Sequence, residues 1–333
     1  MNDSLGEVAA AFRASAALRG KASIGLVSEV FGAADWLHGP GDDAAVVECG
    51  DERILVAGEA IWPPFVEADP FGAGIACVVA NVNDVAAMGG RALALVDQVV
   101  ATEEVARRVL EGIRFAAEIY GLPVVGGHLT IWGGTPSVSA SIVGRVARAL
   151  SATEVAAGQE CLAAFCLQGT LREDFPFLSS ITDRGADLAG DVAVPAELAD
   201  AGLVAAAKDV SMAGTLGSLA MLLEPTRSGA VVDLDQIPMP DGAELARWVS
   251  VFPTYGFLLT AAAGKVAAVR AAFHDRGLAC ERIGTIDRSG LLKVRLDGEE
   301  EVLMDLNTQS VTGLKGPVRA GRVESPSSDG GAL

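Results

Sequence analysis

The sequence predicts a two-domain α/β protein, and three observations carry that expectation. Segments of strand-like and helix-like periodicity alternate through both halves of the chain. The 333 residues are 50% hydrophobic, enough for two cores of ordinary size. The alternation breaks near residue 150, where Ser151 to Gly158 shows no strand pattern. Domains are therefore expected at 1–150 and 151–316. Residues 317–333, rich in Gly, Ser and Pro, read as a disordered tail.

Residues 1–37 carry a mixed helical pattern ending at Phe31 and Trp36, and the run Gly39-Pro40-Gly41-Asp42-Asp43 predicts a turn. Ala44 to Glu48 and Arg53 to Ala57 read as strands joined across Gly50-Asp51. Residues 70–88 place Phe71, Ile75, Val78, Val79, Val82 and Val85 at helical spacing, stopped by Gly89-Gly90. A strand over Leu93 to Val100 follows, then a helix from Thr102 to Tyr120 with Thr102 as N-cap and Gly121 beyond its end. Strands around Leu122 to Val125 and Ser137 to Val146 close the first half.

The second half opens with a strand over Cys161 to Leu167 and a long Ala-rich helical zone over Ala186 to Ala207. A helix at Ala213 to Leu223 and strands at Ala230 to Leu234 and Phe257 to Ala261 come next. A helix at Lys265 to Arg276 and a strand at Leu291 to Leu296 complete the reading.

Charge excludes several classes. At a net −18, the chain is a poor general partner for nucleic acid or for anionic membranes, which are gripped by Lys and Arg. Five cysteines, Cys49, Cys77, Cys161, Cys166 and Cys280, form no metal-pair spacing and point to a reducing, cytoplasmic setting. No N-terminal leader pattern and no uninterrupted membrane-length run is read. The Walker sequence is absent, since Gly264-Lys265 leads to Val266, and no Gly-x-Gly-x-x-Gly follows a strand.

What remains is a set of acids beside glycines and strand ends. Asp42 and Asp43 stand where a turn enters a strand, a place that suits either an Asx turn or cation ligands. Glu59 stands where a strand runs out, which also suits a solvated end. Asp84 lies near the C-terminus of an apolar helix. There the macrodipole disfavours it by about 0.3–1 kcal/mol, so a cation partner is expected, Mg2+ above all in a chain short of basic residues. Asn81, three residues earlier, shares its face. Gly126-Gly127-His128 suits a tight turn with a structural histidine as well as a binding loop. Asp209 and Ser211 could each cap the helix that follows, and Lys21 defaults to a solvated lysine.

In series, Gly41-Asp42-Asp43-Ala44-Ala45-Val46, Asn81-Val82-Asn83-Asp84-Val85-Ala86-Ala87-Met88-Gly89-Gly90, Val125-Gly126-Gly127-His128-Leu129-Thr130 and Lys208-Asp209-Val210-Ser211 resemble the aminoimidazole-ribonucleotide (AIR) synthase superfamily. Its relatives include thiamine-monophosphate kinase, selenophosphate synthetase and the hydrogenase-maturation carbamoyl-dehydrating protein. The resemblance spans most of residues 20–315. It implies a PurM-like fold of two α/β domains, a homodimer whose N-terminal strands form a β-barrel, and ATP with Mg2+ near the subunit interface. Carried over by position, Asp42 or Asp43, Glu59 and Asp84 become metal ligands. Asn81, Gly126, Gly127, His128 and Lys21 become nucleotide-binding residues, and His128 and Asp209 become catalytic candidates.

Each named activity lacks a residue here. Glu59 and His128 stand where thiamine-monophosphate kinases have Asp, and Met212 stands in their Asp-Gly position. No cysteine precedes Cys49, as selenide chemistry at Lys21 would require, and the chain ends in Ala332-Leu333 rather than cysteine. The expectation is an enzyme moving the γ-phosphoryl group of ATP to a small-molecule acceptor. The alternatives are a nucleotide-binding subunit that lost turnover and a thiamine-monophosphate kinase with altered ligands.

Overall fold

The computed structural model describes residues 4–32, 41–173 and 175–316. Trp36, Gly39, Pro40 and the expected tail over 317–333 lie outside the described residues. The chain opens with short helical pieces, Leu5–Ala14, Ala16–Gly20, Lys21–Gly25 and Leu26–Phe31. The first is fixed by a capping box in which the Ser4 hydroxyl accepts from the Glu7 N–H and the Glu7 carboxylate accepts from the Ser4 N–H.

Five strands form the first sheet: β1 (Ala45–Cys49), β2 (Glu52–Ile61), β3 (Arg91–Ala101), β4 (Val124–Ile131) and β5 (Ser137–Arg145). Their order is β1-β2-β5-β3-β4, antiparallel except for the parallel β3–β4 pair. Within this chain the sheet is open. Helices Pro70–Ala87 and Glu103–Tyr120 pack on each other and on this sheet. The second helix has its start and stop as expected, with Thr102 accepting from the Val105 N–H and Gly121 in the left-handed region at φ 62°.

Two strands run longer than their apolar cores suggested. β2 continues to Ile61, so Glu59 lies inside a strand rather than at its end. β4 carries Gly126, Gly127 and His128 within a continuous strand, which overturns the tight-turn reading of that segment. An added Cβ at Gly127 would lie 2.6 Å from the Asp97 carbonyl oxygen and 2.8 Å from its carboxyl group. Close packing, not a turn, explains that glycine.

The second domain is built on β6 (Gln159–Phe165), β7 (Thr170–Leu171), β8 (Phe177–Ser179), β9 (Ala206–Asp209), β10 (Gly229–Asp233), β11 (Phe252–Pro253), β12 (Gly256–Ala262), β13 (Ala279–Asp287), β14 (Leu291–Leu296) and β15 (Glu299–Asp305). Seven form one sheet in the order β15-β14-β10-β13-β6-β12-β9, and β11, β8 and β7 form a small separate one. The Ala-rich zone is not one helix. It breaks into Asp187–Asp191 and Val194–Asp200 and ends in strand β9, whose four residues are buried against β12. Tertiary burial overrides alanine's helix preference there.

One described helix, Pro70–Ala87, is long and apolar enough to cross a membrane by length and composition, against the sequence expectation. However, 67% of it is buried inside the protein, which accounts for its apolarity.

Candidate functional site

Asp84 is at the centre. It lies in the last turn of the Pro70–Ala87 helix, inside the run Asn81 to Ala87, all of which is buried. The helix touches β2 and β5 of the first sheet and β9 of the second domain, so this turn has no solvent face. Asn83 Nδ2 donates to the Thr254 carbonyl at 3.0 Å and ties the turn to the second domain. Asp84 is 7% exposed, and among the described residues no hydrogen bond or ion pair reaches its carboxyl group. Burial raises its pKa well above the ordinary carboxylate value. Asp209, Asp43 and Glu59 add to the rise, and Lys208 opposes it.

Two further carboxylates meet it. Asp43 comes from the turn before β1 and Asp209 from the end of β9. One ligand oxygen from each of Asp43, Asp84 and Asp209 lies within 4.8 Å of the other two. Ionised together at that separation, they repel by about 3 kcal/mol per pair at an effective dielectric constant of about 20. Burial, with Asp43 next, pushes the Asp209 pKa up to about 7, against Lys208 and Lys21. Asp209 is thus no helix cap: the Gly214–Leu223 helix has no side-chain cap, and Ser211 donates its N–H to Ser218 Oγ at 3.1 Å.

Lys208, which sequence reasoning did not single out, sits in the same cluster. Its Nζ donates to Asp43 Oδ1 and lies 3.6 Å from Asp209 Oδ1, and its side chain is buried. The Asp209 N–H donates to the other oxygen, Asp43 Oδ2, at 3.1 Å. Burial works against the Lys208 ammonium, but Asp43 and Asp209 outweigh it and raise the pKa. The signal for Lys208 lay in its neighbour: a lysine beside the acid of a buried β-strand has to meet a counter-charge.

The remaining candidates divide. Glu59 and Lys21 stand at the rim. The protein packed around the Glu59 carboxyl raises its pKa, and Lys21 lowers it; both act on Asp209 as well. Asp42 turns away from the cluster. Its Oδ2 accepts from Ser151 Oγ at 2.6 Å and its Oδ1 from the Ala152 N–H at 2.8 Å, with its pKa raised to about 6 by burial against those two bonds. Of the Asp42–Asp43 pair, Asp43 enters the cluster, and Asp42 directs its oxygens to Ser151 and Ala152 of the interdomain segment. Asn81 Nδ2 donates to the Cys77 carbonyl of its own helix at 2.8 Å, and among the described residues its buried Oδ1 has no donor.

Gly126, Gly127 and His128 are not brought to the cluster within this chain. Register places Glu59, Ala140, Asp97 and Gly127 side by side on β2, β5, β3 and β4. Three strand spacings, about 14 Å along the sheet, therefore separate Glu59 from Gly127. That row also reveals Asp97, a buried carboxylate that the sequence reading passed over within an apolar strand.

The donor set suits a hard divalent cation. Every candidate ligand is a carboxylate oxygen, which favours Mg2+ or Mn2+ over zinc, and the unpartnered, buried Asp84 carboxyl calls for a positive charge.

Comparison with known proteins adds a family. Residues 41–146 match the AIR synthase related protein N-terminal domain and residues 191–297 its C-terminal domain. An uncharacterized protein of Synechocystis sp. is 33% identical over 279 residues, covering 83% of this chain and 87% of that one. The structure of T. maritima PurL complexed with AMPPCP superposes with a TM-score of 0.72 at 18% identity, over 92% of this chain and 51% of that one. This chain thus spans about half of PurL. A structure of AaThiL complexed with AMPPCP and TMP gives 0.65 at 15% identity, over 83% and 94%. At such identities, the two structures establish a shared fold.

Proposed function

The chain belongs to the AIR synthase related proteins, and from that premise we propose that it is an ATP- and Mg2+-dependent enzyme. It transfers the γ-phosphoryl group to a small-molecule acceptor, or uses that group to activate the acceptor. The observation that carries this reading is the convergence of Asp43, Asp84 and Asp209 from both domains on one point. Solved relatives complexed with ATP analogues support it.

In this reading, Asp84 and Asp209 hold the cation, with Asp43 beside them and Glu59 at the rim. Bound there, Mg2+ supplies the positive charge that a triphosphate needs in a chain of net −18. Asp209, carried by the second domain, faces the acceptor. The interdomain bonds from Asp43 to Lys208 and Asp209 hold the two halves of the site in register. Gly126, Gly127 and His128 reach a nucleotide from a second copy of the chain, a reading supported by their distance from the cluster and the exposure of β4.

Calorimetry with ATP and MgCl2 tests the proposal. The expected result is saturable, Mg2+-dependent binding that weakens at least about a hundredfold, about 2.7 kcal/mol, in Asp84→Ala. Absence of binding to the wild type, or unchanged binding in that variant, defeats it.

A further inference from the structure

We propose that Lys208 is a built-in cation of the site, standing between Asp43 and Asp209 where a second divalent ion would otherwise be held, so that each chain binds one such ion in the absence of nucleotide. The inference rests on the metal-dependent reading above and deepens it.

Charge and geometry both lead there. Asp43, Asp84 and Asp209 carry three negative charges when ionised, and the Lys208 ammonium leaves two, the charge of a single divalent ion. Glu59 and Lys21 at the rim offset one another. Both oxygens of Asp43 are already engaged, Oδ1 by Lys208 Nζ and Oδ2 by the Asp209 N–H. Within the cluster of Asp43, Asp84 and Asp209, and among the described residues, the carboxyl oxygens without a hydrogen bond are those of Asp84 and Asp209, enough for one oxygen-ligated ion whose remaining positions water or phosphate would fill. Lys208 is itself 9% exposed, so its ammonium has given up its hydration for these carboxylates. A lysine whose task was only to join the domains would leave the ion count unchanged when replaced. The two roles therefore separate in a binding experiment.

The experiment titrates the full chain with MnCl2, without nucleotide, and reads free Mn2+ by electron paramagnetic resonance. The wild type should bind one ion per chain, Lys208→Met two, and the charge-preserving Lys208→Arg one. A count of one in a Lys208→Met protein that retains its thermal transition overturns the proposal, and the metal-dependent reading survives. If Lys208→Met does not fold, Lys208→Gln carries the same count. A wild-type count of two overturns the proposal without recourse to any variant. A wild type that binds no Mn2+ and matches Asp84→Asn removes the underlying reading, and the Lys208 proposal with it.

Discussion

Asp97 shows how a single buried acid sets a pH response. Its side chain lies on the helix-facing side of β3 beside Cys77, whose thiol is pushed up to about 12 by burial, then by Glu59 and Asp97. Burial raises the Asp97 pKa above its ordinary value of 3.8. The folded protein thus keeps a proton where the unfolded chain has lost it, and folding stability falls as pH rises from about 4 through the folded pKa. Asp97→Asn removes that loss. The variant should melt at the wild-type temperature near pH 4 and above it at pH 8, in chelator, by differential scanning calorimetry. An offset that stays constant across that range, or a variant less stable at pH 8, counts against this account. Residues of this kind were hidden for a physical reason. Asp43, Asp84 and Asp209 announce themselves by local context, a glycine turn, a helix end and a helix entrance. Lys208 and Asp97 matter only through partners elsewhere in the chain, and the Lys208–Asp43 bond closes a separation of 165 residues.

The two helices over the first sheet show how an element can be legible while its packing is not. Their period, caps and lengths follow from the sequence, and the Pro70–Ala87 helix lies where the apolar spacing put it. The closeness of their crossing does not follow. A Cβ at Gly112 would lie 2.1 Å from the Phe71 carbonyl oxygen, and one at Gly74 2.1 Å from that of Val109, so the helices meet backbone to backbone. Two effects compete in Gly112→Ala. Helix propensity favours alanine by about 1 kcal/mol, whereas forcing a methyl group into backbone atoms costs about 1–3 kcal/mol through displaced helices. Contact at 2.1 Å is with backbone, which cannot rotate aside, so destabilisation should win. Urea unfolding is expected to show a net loss of up to about 2 kcal/mol. A stabilised Gly112→Ala would mean that the helices separate freely. Because the Pro70–Ala87 helix carries Asp84, the same variant should also weaken Mg2+-dependent ATP binding. Where sequence reasoning misplaced an element, the cause was again tertiary. Ala206 to Asp209 has helix-forming composition but pairs with β12 inside the second core.

For the molecule as a whole, a mixed α/β fold of two domains was legible in the alternation of periods, whereas the way the halves meet was not. The unfinished feature is β4. It is an edge strand, all eight residues are exposed, and it carries Val125, Leu129 and Ile131, with Trp132 just beyond. An uncovered apolar edge of that length invites pairing with another chain, and natural proteins seldom leave one without a partner. The resemblance implies a homodimer formed through the first domain. In the proposed function His128, which lies away from the carboxylate cluster, reaches the site from that second copy. Leu129→Glu places a charge in the middle of the strand, two residues from Gly127 and outside the carboxylate cluster. In light scattering the wild type should be a dimer and the variant a monomer. The variant should keep the Mn2+ count of the wild type, because those ligands come from one chain. It should lose ATP affinity, because Gly126, Gly127 and His128 of the second copy are withdrawn. A monomeric variant that binds ATP as the wild type does would confine the whole nucleotide site to one chain, and a monomeric wild type would leave β4 needing a different partner.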